Sequence, residues 1–216
     1  MLAFRGLCVR PGRGSTQYLE PVISGIVLAG GTSSRLGQPK QLMDLGGRPV
    51  LQYVLEAAAA AGLDELVVVL GHRAEDVAAA LSLPPTARTV VNPDYATGQA
   101  SSMRTGLAAT SPAAEAALLL LGDQPAMRPA DIRAVVDAYR SGAGPIVQGS
   151  YRGEPGHPVL FDRSVWPDLL AVEGDRGARD VIKTHPNWVV RVDLDADVPA
   201  DLDTMEDYDR LKQSGL

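Results

Sequence analysis

Lys40, Arg35 and Asp123 are the residues of this 216-residue chain whose types and settings can do chemistry together. The two cations follow the run Ala29-Gly30-Gly31-Thr32-Ser33-Ser34, which opens with nearly bare backbone and closes with hydroxyls. Backbone N–H groups in such a run approach a ligand closely, hydroxyls add donors, and Lys and Arg neutralise charge, so the stretch suits a polyphosphate. Asp123, in Gly122-Asp123-Gln124-Pro125, is a lone carboxylate directly after the most apolar run of the chain. Its expected work is to hold Mg²⁺, which takes one or two carboxylates together with phosphate oxygens and water. Asp201-Leu202-Asp203-Thr204 offers the second carboxylate. Residues two apart in an extended segment point to one side, so Asp201 and Asp203 share a direction, with Asp203 read as the metal ligand and Asp201 beside it.

Two further segments carry polar groups in suggestive settings. In Asn92 to Gly106, the Asn92 amide is suited to reading the edge of a base, Gly98 permits a tight approach, and Ser101 and Ser102 open a helix whose N–H groups receive an anion. In Gly153-Glu154-Pro155-Gly156-His157-Pro158, two prolines are read as freezing a loop around one imidazole. No second His or Cys lies at ligand spacing, which argues against zinc.

The elements that must position these residues follow from the apolar pattern. Val22 to Leu28 is a nearly continuous apolar run, read as a strand buried on both faces. Strands are likewise expected over Leu66–Leu70, Thr89–Val91 and Ala116–Leu121. Helices alternate with them over Val50–Ala61, stopped by Gly62, then Arg73–Leu81, Ala100–Thr110 and Pro129–Arg140. Four such alternations imply right-handed crossovers and a mainly parallel sheet, hence a single three-layer α/β domain of Rossmann-like type over residues 21–216. Ligands then sit beyond the carboxyl ends of the strands, where all the loops above begin. The second half is less regular, with short strands at Pro145–Gly149, Val159–Phe161 and Trp188–Val192 and a helix over Arg176–Thr184. The Pro and Gly between Gly142 and Pro158 read as an active-site lip. A last helix over Thr204–Lys212 has Thr204 as its cap and Asp207 three residues on.

Composition narrows the partners. A formal charge of −6 without any basic stripe argues against nucleic acid. No run approaches the ~20 apolar residues of a membrane span. The single cysteine, Cys8, cannot form an internal disulfide and calls for no oxidising compartment, so a cytoplasmic location is expected. Residues 1–20, rich in Gly, Arg and Pro, read as a disordered extension outside the domain.

The first loop lacks the Gly-Lys-Ser/Thr of a P-loop and the G-x-G-x-x-G of a dinucleotide fold. It resembles the signature L-A-[AG]-G-x-S-x-R-[ML]-G-x-x-K of nucleotidyltransferases with a sugar-nucleotide-transferase-like α/β domain. With G-H-R-A-E-D-V, N-P-D-Y-A-T-G-Q-A-S-S-M, G-D-Q-P, G-E-P-G-H-P-V-L-F and D-L-D-T-M-E-D-Y, in that order from about Ser24 to Tyr208, the chain is similar to the molybdenum cofactor cytidylyltransferases.

That resemblance implies CMP transfer from CTP to the terminal phosphate of molybdopterin with Mg²⁺ as cofactor. Leu28, Ala29, Gly30, Gly31, Thr32, Arg35 and Lys40 would then face the nucleotide, Asp123 the metal, and Gly156, His157 and Pro158 the acceptor. A molybdoenzyme maturation chaperone is a further partner that it allows. Two positions depart from the family: Gly30 stands where its cytidine members carry Ala, and Met205 where they carry Pro. Guanylyl-transferring relatives read Ala-Gly-Gly at the first site, so GTP or a sugar-phosphate acceptor is an alternative. Nicotine-blue-type reductases resemble the same domain, and a catalytically silent maturation partner is a third reading.

Overall fold

Apolar runs alternate with helical stretches through the first half of the chain, and the fold follows that alternation. The computed structural model describes residues 20–33 and 36–216. The expected extension over residues 1–20 lies, apart from Glu20, outside the described residues, as does Arg35.

Seven strands form one sheet: β1 Ile23–Ala29, β2 Glu65–Leu70, β3 Ala87–Val91, β4 Ala116–Leu121, β5 Ile146–Tyr151, β6 Glu154–Asp162 and β7 Val189–Leu194. Their spatial order is β3-β2-β1-β4-β6-β5-β7. β1 pairs in parallel with β2 and β4, β2 with β3, and β5 with β7, while β6 runs antiparallel between β4 and β5. β1, β2 and β4 are almost wholly apolar because both faces of the sheet centre are covered.

On one face, α1 Val50–Ala60 and α4 Pro129–Arg140 pack Leu51, Leu55, Ile132 and Val135 against Val27, Val68 and Leu118. On the other, α3 Gln99–Ala109 and the short α5 Trp166–Leu170 pack Met103, Leu107 and Leu169 against Ile26, Val69 and Leu119. The short helices α2 Ala74–Ala79 and α6 Arg179–Thr184 complete the layers. A third, smaller cluster of Met43, Leu45, Val50, Leu202 and Leu211 seats the last helix, α7 Met205–Gln213. The capping box is formed: Thr204 Oγ1 accepts from the Asp207 amide at 3.2 Å, and Asp207 Oδ2 accepts from the Thr204 amide at 2.8 Å.

One expectation needs correction. Residues 154–158 are not a frozen lip but the first half of β6, joined to β5 by a tight turn at Arg152 and Gly153, both at positive φ. Pairing supplies the reason: Gly149, Ser150 and Tyr151 register with Gly156, Pro155 and Glu154, so the ladder holds a segment whose Pro and Gly content argues for a loop. Among the described residues no helix is long and apolar enough to cross a membrane.

Candidate active site

β1 and β4 are neighbours whose paired ends, Leu28 and Leu121, bring the loops that follow them together. Strand order reverses at this pair, which is where an open α/β sheet leaves a crevice. The Gly122 amide donates to the Leu28 carbonyl at 2.9 Å, and Asp123 follows at the crevice floor. A cleft of about 410 Å³ opens here, walled by Leu28, Ala29, Gly30, Gly31 and Thr32 on one side, by Tyr95, Gly98 and Ser102 on another, and by Gly122 and Asp123 below. An outer lobe of about 750 Å³ adjoins it, sharing Gly31, Thr32, Lys40, Gln99 and Asp175 and adding Arg179 and Asp203.

Lys40 stands where the lobes meet. Its amide donates to Ser33 Oγ at 2.9 Å, closing the loop on itself. Its ammonium is hydrogen-bonded to Asp123 and, at 2.9 Å, to Asp203 Oδ1. Burial by itself would lower its pKa, but the charges and hydrogen bonds of Asp123 and Asp203 outweigh that and hold it above its ordinary value. Asp203 reaches this point because the Leu202 amide donates to the Asp123 carbonyl at 3.0 Å while the Leu202 side chain is buried. Leu202 faces inward, so the acids on either side face out, as the period of two requires. They meet different partners, however: Asp203 takes Lys40, and Asp201 accepts from Gln124 Nε2 at 2.7 Å. Asp201 is exposed as a residue, but its carboxyl is partly covered where it meets Gln124. Burial, and after it the charge of Asp123, raise its pKa.

The polar side chains after β3 divide. Ser102 lines the cleft, whereas Asn92 is only 1% exposed and its amide is already engaged. Asn92 Nδ2 donates to Ser101 Oγ at 2.8 Å and to Ser102 Oγ at 3.0 Å, and its Oδ1 accepts from the Asp94 amide. Ser101 Oγ in turn donates to backbone carbonyls of Asp94 and Gly98. The side-chain hydrogen bonds of Asn92 and Ser101 thus fix the loop and α3, and Ser102 faces the ligand space.

Gly156, His157 and Pro158 line neither lobe. His157 lies on β6 beside the carboxyl end of β4, with Nδ1 3.3 Å from the Leu119 carbonyl. Burial lowers its pKa, opposed by that carbonyl and by the charge of Asp123. Tyr95 and Gln99, within the Asn92–Gly106 segment, join the walls, as do Gln41, Asp175 and Arg179, which no motif singles out. Gln41 donates from Nε2 to the Ala29 carbonyl at 2.8 Å and so braces the first loop. A usable signal for Asp175 was the pair of glycines around it in Gly174-Asp175-Arg176-Gly177, a loop signature ahead of a helix.

The pattern that defines the MobA-like NTP transferase domain matches residues 25–189. Nicotine blue oxidoreductase of Paenarthrobacter nicotinovorans is 33% identical over 199 residues, covering 88% of this chain and 97% of that protein. The crystal structure of Rv0371c from Mycobacterium tuberculosis H37Rv superposes with a TM-score of 0.82 at 37% identity, over 90% of this chain and 100% of that one. That protein has also been solved as a complex with manganese. A nucleotidyl transferase from Methanothermobacter thermautotroptrophicus superposes at 0.71 with 26% identity, over 89% of this chain and 97% of that one.

Proposed function

From the premise that the chain belongs to the family of MobA-like NTP transferase domains, we propose that it transfers CMP from CTP to the terminal phosphate of molybdopterin, releasing pyrophosphate. The observation that carries this reading is Lys40 held between Asp123 and Asp203 at the junction of a small-residue cleft and an outer lobe. One lobe suits a nucleotide and the other an acceptor, with the charged cluster where their phosphates meet.

Asp123 and Asp203 fit a divalent ion. Their hard oxygens converge on one point, and a cation, the Lys40 ammonium, already stands there. Asp123 and Asp203 would hold Mg²⁺, and the manganese complex of Rv0371c favours a divalent ion of this size and hardness. When bound, the ion neutralises phosphate charge.

The chain's own residues position the reaction. An acceptor phosphate oxygen attacks the α-phosphorus, the bond from that phosphorus to the bridging oxygen breaks, and its electrons leave with pyrophosphate. Such a step asks little covalent work of the protein, so orientation and charge dominate. Backbone amides of Gly30, Gly31 and Thr32 cradle the nucleotide's phosphates, and Lys40 and Arg35 neutralise the charge that grows on them. Ser102 faces the base, held by Asn92 from behind.

The test is pyrophosphate release with each of the four NTPs, with and without molybdopterin. Release that requires both CTP and molybdopterin is expected, and release with another acceptor alone overturns the assignment. A second reading, reduction of a dye-like substrate, is favoured by the likeness to nicotine blue oxidoreductase across 97% of that protein. Loss of nicotine blue colour in the presence of a reduced nicotinamide, with no pyrophosphate released in the first assay, would establish it.

A further inference from the structure

The outer lobe contains a cation that the reaction described so far does not use. Arg179 lines it, and among the described residues its guanidinium makes no ion pair or hydrogen bond with another side chain. Its neighbours in sequence are paired elsewhere: Arg176 lies 3.7 Å from Asp180. Lys40, the other described cation on this wall, is already shared by two carboxylates.

Arg179 is placed by packing rather than left on a loose loop. The segment before it, Val172–Gly177, is docked on α3 at three points. Arg104 of α3 donates to the Val172 carbonyl. Gly98, at φ +117°, lies so close to Gly174 that a Cβ there would fall 2.7 Å from Asp175 Oδ1 and nearer still to the Gly174 backbone. Gly177, at φ +52°, meets Gln99 in the same way, its would-be Cβ 2.5 Å from Gln99 Oε1. The segment that carries Asp175 and leads into Arg179 at the start of α6 is thus held against the helix whose first turn walls the nucleotide cleft.

We propose that Arg179 anchors the phosphate monoester of the acceptor, so that the outer lobe selects acceptors by a doubly charged terminal phosphate. This rests on the reading of the outer lobe as the acceptor side of a nucleotidyl transfer. A guanidinium presents a planar fork of donors matched to phosphate oxygens, which an ammonium does not. Lining the same lobe as the Lys40 junction, it would hold the acceptor phosphate near the cleft. Asp175, which lines both lobes, then offers an acceptor for N–H or O–H groups of the rest of the molecule and disfavours a second phosphate beside it.

Two measurements on wild type, Arg179→Ala and Arg179→Lys test this. In the first, steady-state pyrophosphate release is followed with CTP and molybdopterin, alongside equilibrium binding of CTP alone. Arg179→Ala should raise the Michaelis constant for molybdopterin about 10- to 100-fold, with Arg179→Lys in between and CTP affinity unchanged. An equal loss of CTP affinity, or no change in either constant, overturns the proposal. In the second, the ³¹P line of inorganic phosphate is observed with protein saturated by a non-hydrolysable CTP analogue. Broadening in wild type that is lost in Arg179→Ala supports the anchor, and no broadening in wild type counts against it. Should molybdopterin support no turnover, the acceptor assignment fails on the first measurement while the second still decides for or against the phosphate anchor.

Discussion

The ammonium of Lys40 lies 2.9 Å from Asp203 Oδ1 while also bonded to Asp123, so residues from three distant parts of the chain meet at one cation. A lysine in that place balances two acids that would otherwise repel each other. It also competes with any divalent ion for the same oxygens.

The first prediction follows from that competition. Lys40→Ala should lower turnover by about 10²- to 10³-fold, the usual cost of losing one donor aimed at developing charge. Over the same change Mn²⁺ affinity, read by electron paramagnetic resonance, should rise, because no ammonium need be displaced. Weaker Mn²⁺ binding in the variant would show that Lys40 does not occupy the metal's place.

Asp123→Asn should abolish metal-dependent activity with the fold intact, since an amide of the same shape is a poor ligand for a hard cation. Circular dichroism checks the fold and pyrophosphate release the activity. Wild-type turnover in this variant would move the metal to Asp201 and Asp203.

Gly30 bears on the choice of base. A Cβ at this position would lie 2.9 Å from Ser102 Oγ, the hydroxyl that faces the cleft, and 3.6 Å from the Gly71 amide nitrogen. The added methyl therefore acts on the cleft wall beside Ser102 and must push that hydroxyl aside. Wild type is expected to prefer CTP, and Gly30→Ala to alter the CTP-to-GTP ratio of specificity constants by about 1 to 3 kcal/mol. A wild-type preference for GTP sinks the cytidylyl assignment, and an unchanged ratio removes Gly30 from base selection.

Thr204 ties helix α7 to the site. Thr204→Ala removes a cap worth about 0.5–2 kcal/mol and loosens the segment that presents Asp203 to Lys40. A lower unfolding midpoint together with weaker Mn²⁺ binding is expected. A stability loss with unaltered metal affinity would separate the cap from the site.

His157 gives a pH signature. Its pKa in the fold lies below the ordinary 6.5, burial being the main cause. The unfolded chain therefore binds the proton more readily, so this group's contribution is present above pH 6.5 and is lost as pH falls through the folded value. His157→Asn, which keeps a donor for the Leu119 carbonyl, should flatten the fall of stability below pH 6.5 in denaturant titrations. Parallel stability curves for wild type and variant would mean that His157 binds its proton equally in both states.

What the sequence by itself determined was everything set by local pattern. β4 is Ala116–Leu121 as read, α4 is Pro129–Arg140 with proline at its first position, and Thr204 with Asp207 forms the box. Apolar runs, caps and turn residues act within a few positions of one another, so their consequences can be read along the chain. The loops after β1 and β4 were likewise legible as neighbours, because a parallel sheet must place them at one edge. Tertiary structure decided the rest. That Asn92 spends its amide on Ser101 and Ser102 depends on how the loop after β3 folds back onto α3. That Glu154–Pro158 is strand depends on partners in β5 outweighing its own turn-forming residues. That Asp175 and Arg179 join the site depends on Gly98 admitting Gly174 at a distance no side chain would allow. Each is selected by packing and hydrogen-bond satisfaction in three dimensions, between near segments for Asn92 and for the β5–β6 hairpin and between distant ones for Gly98 and Gly174, and residue types along the chain do not fix it.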